Sequence, residues 1–188
     1  MRIPFKTILV SSFATLAIFF SMVYVSCNRD QCKSVVCANG GICNGGSCTC
    51  PSGYEGPHCE TVSRQKFLGN WSVFEKGSIT LSAQYGVSIE ATTDNPTTVP
   101  VNVVIKNFYN YFTTPIKAYV TGDTIYVPNQ QYEGKVVFGI GYWFTNVTYG
   151  QYGHITMRYE VIDTATSKVN DFGYNDAIDH SDPSEWNK

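Results

Sequence analysis

Between Arg64 and Lys188 apolar and polar residues alternate with a period of two, the repeat of strands with one face on a core. Val87, Ile89 and Ala91 alternate with Ser88, Glu90 and Thr92. Val101, Val103 and Ile105 follow the same rule, and so do Ile155, Met157, Tyr159 and Val161. Ile116, Ala118 and Val120 precede Gly122-Asp123, and Ile125 and Val127 follow, which predicts a hairpin with a two-residue turn. Val136, Phe138, Ile140, Tyr142 and Phe144 mark one face of a long strand, with Gly139 and Gly141 on the other. Glycines inside a strand point to a bend, a bulge or the close approach of another backbone. Strands are therefore expected near 71–75, 85–93, 99–108, 114–121, 124–128, 135–148 and 154–163, with an eighth near 167–174. No stretch repeats at the helical period. Short sequential connections favour an antiparallel meander, and hence a barrel or a sandwich.

Phe67-Leu68-Gly69-Asn70-Trp71 opens this segment, and Gly-x-Trp on a first strand resembles the lipocalin, or calycin, barrel. That resemblance implies a structural tryptophan packed across a closed barrel end. Eight-stranded barrels are filled by their own side chains or hold one small ligand, and strands this short favour the filled interior. Tyr109, Tyr111, Tyr119 and Tyr126 are candidates for an exposed aromatic surface, although tyrosine is also simply a good strand former.

Cysteine use divides the chain. Cys32, Cys37, Cys43, Cys48, Cys50 and Cys59 fall within 28 residues, and none of the following 129 residues is a cysteine. An even number at tight spacing suits disulfides, whereas zinc would want paired C-x-x-C spacings. Six cysteines allow 15 connectivities. Cys48-Thr49-Cys50-Pro51-Ser52-Gly53-Tyr54-Glu55-Gly56-Pro57-His58-Cys59, with Asn39-Gly40-Gly41 ahead of Cys43, resembles an EGF-like domain. The resemblance covers Cys32 to Glu60 and implies the pairs Cys32–Cys43, Cys37–Cys48 and Cys50–Cys59. So small a module buries too little apolar surface to fold without such bonds. Asn28, Asp30 and Gln31 stand where some EGF-like domains bind calcium, but the loop Asn44-Gly45-Gly46-Ser47 lacks the partner residues, and no metal site is expected.

Residues 1–26 carry Arg2 and Lys6, no acid, and an apolar run from Ile8 to Val25, the pattern of a signal peptide. Val25-Ser26-Cys27 resembles the end of a bacterial lipobox, which implies lipidation at Cys27 and an exported lipoprotein held on a membrane. A conventional signal peptide and an uncleaved anchor are the alternatives; all three place the remainder outside the cytoplasm. The expected organisation is a signal peptide (1–26), a lipid-anchor spacer (27–31), an EGF-like domain (32–60), a linker (61–66), an antiparallel β-domain (67–174) and a solvated acidic tail (175–188). The fold class is mainly β: a small disulfide-rich EGF-like module plus a lipocalin-like antiparallel barrel or sandwich.

With 13 Lys and Arg against 15 Asp and Glu the chain has a formal net charge of −2, which excludes a strongly basic nucleic-acid binder. The three histidines are far apart in sequence, and Glu75, Glu90, Glu133 and Glu160 read as single outward-facing acids. Nothing local suggests paired catalytic groups, so no catalytic residue and no cofactor is expected. The expected role is non-enzymatic: an EGF-like stalk presenting the β-domain to a protein or glycan of the cell envelope. The alternative is a carrier of a small apolar or aromatic ligand.

Overall fold

A computed structural model describes residues 31–92, 101–145, 153–178 and 182–188. The signal segment, Cys27 and nearly all of the spacer lie outside the described residues. The amino-terminal module contains two small hairpins: β1 (Ile42–Asn44) with β2 (Ser47–Thr49), and β3 (Tyr54–Glu55) with β4 (Thr61–Val62). Three disulfides join Cys32 to Cys43, Cys37 to Cys48 and Cys50 to Cys59, the pairs that the resemblance implies. Gly41 sits where a Cβ would lie 2.7 Å from the Cys59 sulfur, so the bridges leave no room for a side chain there.

The segment expected as a linker, 61–66, is itself structured. Thr61 and Val62 pair with β3, and Ser63–Lys66 form a 3-10 turn leading into the barrel. Lys66 then ties the two parts: its ammonium lies 2.9 Å from Glu55 of the module, pairs with Asp123 of a barrel hairpin, and stands 5.1 Å from the Trp143 ring. Arg64 donates to the Asn102 carbonyl at 2.9 Å. The module is thus fastened to one end of the barrel.

The barrel strands are β5 (Gly69–Glu75), β6 (Ala83–Ala91), β7 (Asn102–Lys106), β8 (Ile116–Thr121), β9 (Thr124–Tyr132), β10 (Lys135–Phe144) and β11 (His154–Asp163), followed by β12 (Val169–Phe172) and β13 (Ser184–Asn187). Each of β5 to β11 pairs antiparallel with the next, and β13 bridges β11 back to β5. The result is a closed eight-stranded antiparallel barrel, which decides between barrel and sandwich. The Gly122-Asp123 turn is present, and a second two-residue turn at Glu133-Gly134, both with positive φ, joins β9 to β10. Pro128 lies inside β9 where the register shifts opposite Val137 and Gly139, so its missing N–H costs no ladder bond.

Two expectations change. The strand near 167–174 exists as β12, but it pairs only with the far half of β11; closure comes from β13. The end of the chain, expected as a solvated acidic tail, is therefore a barrel stave, with Trp186 0% exposed and Ser184 buried beside it. Its acids at Asp182 and Glu185 hide a short alternation in which Ser184 and Trp186 face in while Glu185 and Asn187 face out.

The interior is filled. Trp71, Trp186, Tyr159 and Phe108 are its largest side chains, with Phe67 at the module end and Phe112 and Phe172 at the far end. Trp71 donates through Nε1 to the Phe67 carbonyl at 2.7 Å, and the Lys188 ammonium stands 5.1 Å from its ring. Tyr159 and Phe172 stack at 4.3 Å, and Phe108 meets Tyr159 edge-on at 4.8 Å.

Strand β10 sets which large residues reach the outside of the barrel. Its inward residues are Val137, Gly139 and Gly141, while Val136, Phe138, Ile140, Tyr142 and Phe144 face outward. A Cβ at Gly139 would lie 2.4 Å from the Tyr159 Cβ and 2.6 Å from the Arg158 carbonyl; one at Gly141 would lie 2.8 Å from Ile125 and 3.0 Å from the Met157 sulfur. Tyr159, Met157 and Ile125 already occupy that part of the lumen, so the strand can present only hydrogen to it. Its large residues must go to the outside.

Candidate functional site

The outward residues of β10 join those of β8 and β9 into an aromatic platform. Tyr119 and Tyr126 are cross-strand partners, and their rings stack at 5.0 Å with planes 14° apart. Tyr126 in turn faces Ile140 across the β9–β10 ladder. Phe138 meets Tyr174 edge-on at 5.1 Å. These side chains, with Pro128 and Asn129, line a surface groove of 380 Å³ with no charged residue among its described lining. Tyr119 is 40% exposed, and Tyr142 and Phe144 extend the apolar stripe towards the module end. Tyr126, Phe138 and Ile140 are half-buried between them.

Of the four tyrosines singled out from sequence, only Tyr119 and Tyr126 belong to this platform. Tyr109 and Tyr111 lie at the far mouth of the barrel, where Tyr109 accepts from Asn170 at 3.0 Å and packs on Phe172. The platform's other members were missed because the rings of β10 were not assigned to the outer face.

The far mouth holds the least expected group. Glu75, read as an outward acid, points into the barrel and is 8% exposed. Tyr85 donates to its Oε1 at 2.6 Å; Tyr159 and Ser184 each donate to Oε2 at 2.7 Å, and Trp186 Nε1 donates to Ser184 Oγ at 2.8 Å. Burial pushes the Glu75 carboxyl above its ordinary range, against the three hydroxyls that favour the ionised form. The signal was present in the sequence: Trp71, Val73 and Glu75 share one face of β5. Glu160 is also buried and faces Asp171 across the β11–β12 ladder; its own desolvation, then the Asp171 charge, raises its pKa. Glu90 and Glu133 remain at the surface, as expected.

His154 is held rather than poised. Its Nδ1 contacts Asn187 Oδ1 at 2.8 Å and its Nε2 contacts the Glu185 carboxylate, both on β13. With both ring nitrogens engaged it has no free position from which to activate a nucleophile. Among the described residues no group of three or more His, Cys, Asp or Glu is placed to hold a metal ion. The six module cysteines are bonded to one another. Cys27 lies outside the described residues.

No family model, curated protein or solved structure matches this chain. The three amino-terminal disulfides and the eight-stranded barrel fit an EGF-like module followed by a lipocalin-like barrel.

Proposed function

We propose that this is an exported, lipid-anchored binding protein whose β10-side platform engages an uncharged glycan, with the disulfide module fixing the barrel on the side of the anchor. The observation that carries the reading is the near-coplanar Tyr119–Tyr126 pair beside a groove whose described lining carries no charge. The negative faces of aromatic rings attract the polarised C–H faces of a sugar ring, and rigid rings lose little entropy on binding. Three tyrosine hydroxyls and the Asn129 amide supply hydrogen-bonding groups around the apolar floor. The filled lumen weighs against the carrier alternative, and the engaged His154 weighs against hydrolysis. Three disulfides require an oxidising compartment, which supports export; lipidation at Cys27 rests on Val25-Ser26-Cys27 alone.

The test is a glycan array probed with the detergent-solubilised full chain and with Tyr119→Ala and Tyr126→Ala. Retention of neutral glycans, weakened at least about tenfold by either substitution, is expected if each ring supplies about 1.4 kcal/mol. Retention unchanged by both substitutions, or none at all, refutes the glycan reading; saturable capture of a defined envelope protein through the same tyrosines replaces it with a protein partner. Intact mass and detergent partitioning test the acyl anchor separately.

A further inference from the structure

The opposite mouth of the barrel presents a different chemistry from the platform. A cavity of 280 Å³ opens there, lined by Glu75, Tyr85, Tyr109, Tyr111, Thr80 and Leu81 among others. It has the volume of roughly nine water molecules, at about 30 Å³ each. That is room for a small organic molecule and not for a polymer.

Its wall carries a carboxylate with no counter-charge. Among the described residues no Lys, Arg or His reaches ion-pair distance of Glu75; Lys135, whose ammonium stands 4.7 Å from the Tyr111 ring centroid, is paired with Asp163 at 3.1 Å. All the hydrogen bonds it receives come from neutral hydroxyls, those of Tyr85, Tyr159 and Ser184. A carboxylate offers about four acceptor positions, and the described residues fill three of them. Buried charges in folded proteins are ordinarily paired, and this one is left unpaired beside an opening lined by three tyrosine rings.

We propose that this mouth binds a small organic ammonium ion, with Glu75 as its counter-ion and the Tyr85 and Tyr109 rings as its aromatic wall. Aromatic faces attract cations, and the carboxylate supplies the charge that fixes orientation. The hydroxyls on Glu75 hold the carboxylate in place, so little reorganisation accompanies binding. Leu81, 89% exposed at the rim, offers an apolar contact to the rest of the ligand. The site is separate from the platform and does not depend on its glycan.

The test is isothermal titration of the detergent-solubilised full chain with phenethylamine and with tetramethylammonium, using 2-phenylethanol as the neutral counterpart of the first. Saturable binding of the cations, with the alcohol at least about tenfold weaker, is the expected result. Glu75→Gln removes the charge while keeping the shape, and weakens the cations at least about tenfold towards the level of the alcohol. Because a core substitution can disturb folding, Leu81→Lys provides a second variant at an exposed position: it introduces a competing ammonium at the rim and lowers cation affinity in a barrel that otherwise keeps its fold. Equal binding of alcohol and amine, cation binding indifferent to both substitutions, or no saturable binding overturns the proposal.

Discussion

Replacing Trp186 by alanine removes the largest side chain contributed by the carboxy-terminal strand. The indole is fully buried, with its ring centroid 5.8 Å from that of Phe108. Its Nε1 donates to Ser184 Oγ, which keeps its own donation to Glu75 after the substitution. The dominant loss is therefore packing: a Trp→Ala change in a core costs about 3–5 kcal/mol. A domain has only about 5–15 kcal/mol in hand, so the variant folds but close to its limit. With a urea m-value of about 2 kcal/mol/M, a loss of about 4 kcal/mol lowers the unfolding midpoint by about 2 M. The assay is equilibrium urea unfolding of the full chain with its disulfides intact, followed by far-UV circular dichroism because the substitution alters tryptophan fluorescence. Asp182→Ala, on an exposed residue just before the strand, is the control and stays within about 0.5 kcal/mol of the parent. If Trp186→Ala is as silent as this control, the carboxy-terminal residues are a tail and the barrel does not close through them.

Gly139→Ala forces a methyl group against the backbone of Arg158 and Tyr159 and is expected to cost about 3 kcal/mol, whereas Gly86→Ala, whose nearest neighbour lies 3.9 Å away, is near neutral by the same urea measurement. Reduction unfolds the amino-terminal module, since its three bonds close loops of 11, 11 and 9 residues worth about 3 kcal/mol each, while the cysteine-free barrel keeps its NMR dispersion. Glu133, which accepts from the Thr113 hydroxyl and from the Thr114 and Thr113 amides, is held down to about 2. Its contribution is complete above its ordinary 4.5 and is lost as the pH falls towards about 2, so Glu133→Gln flattens the acid limb of stability against pH. Glu75 has the opposite sign: with its pKa raised, stability declines as the pH climbs above 4.5, and Glu75→Gln removes that decline in pH-dependent melts.

The alternation of β5 to β11 was legible because period two is a local property, and so were the Gly122-Asp123 turn and the cysteine set. What was not legible depends on partners far along the chain. Period two shows that Gly139 and Phe138 face opposite ways, but the inner side is decided by Tyr159, twenty residues later, filling the lumen opposite the glycine. In β13 only Ser184 and Trp186 face inward, and four residues with an acid among them and another just ahead are too few to show a pattern. Glu75 was misjudged by applying a rule for isolated acids; the hydroxyls that make its burial tolerable come from Tyr85, Tyr159 and Ser184, the last two about 84 and 109 positions away.

The paired glycines of β10 separate two kinds of selection pressure. Because that strand contributes hydrogen rather than carbon to the lumen at Gly139 and Gly141, the packing there is supplied by Tyr159, Met157 and Ile125. Substituting Phe138, Ile140 or Tyr142 changes the exterior without opening a void inside. The outer residues of that flank can therefore vary or be engineered at little cost to folding, provided the two small residues behind them are left alone.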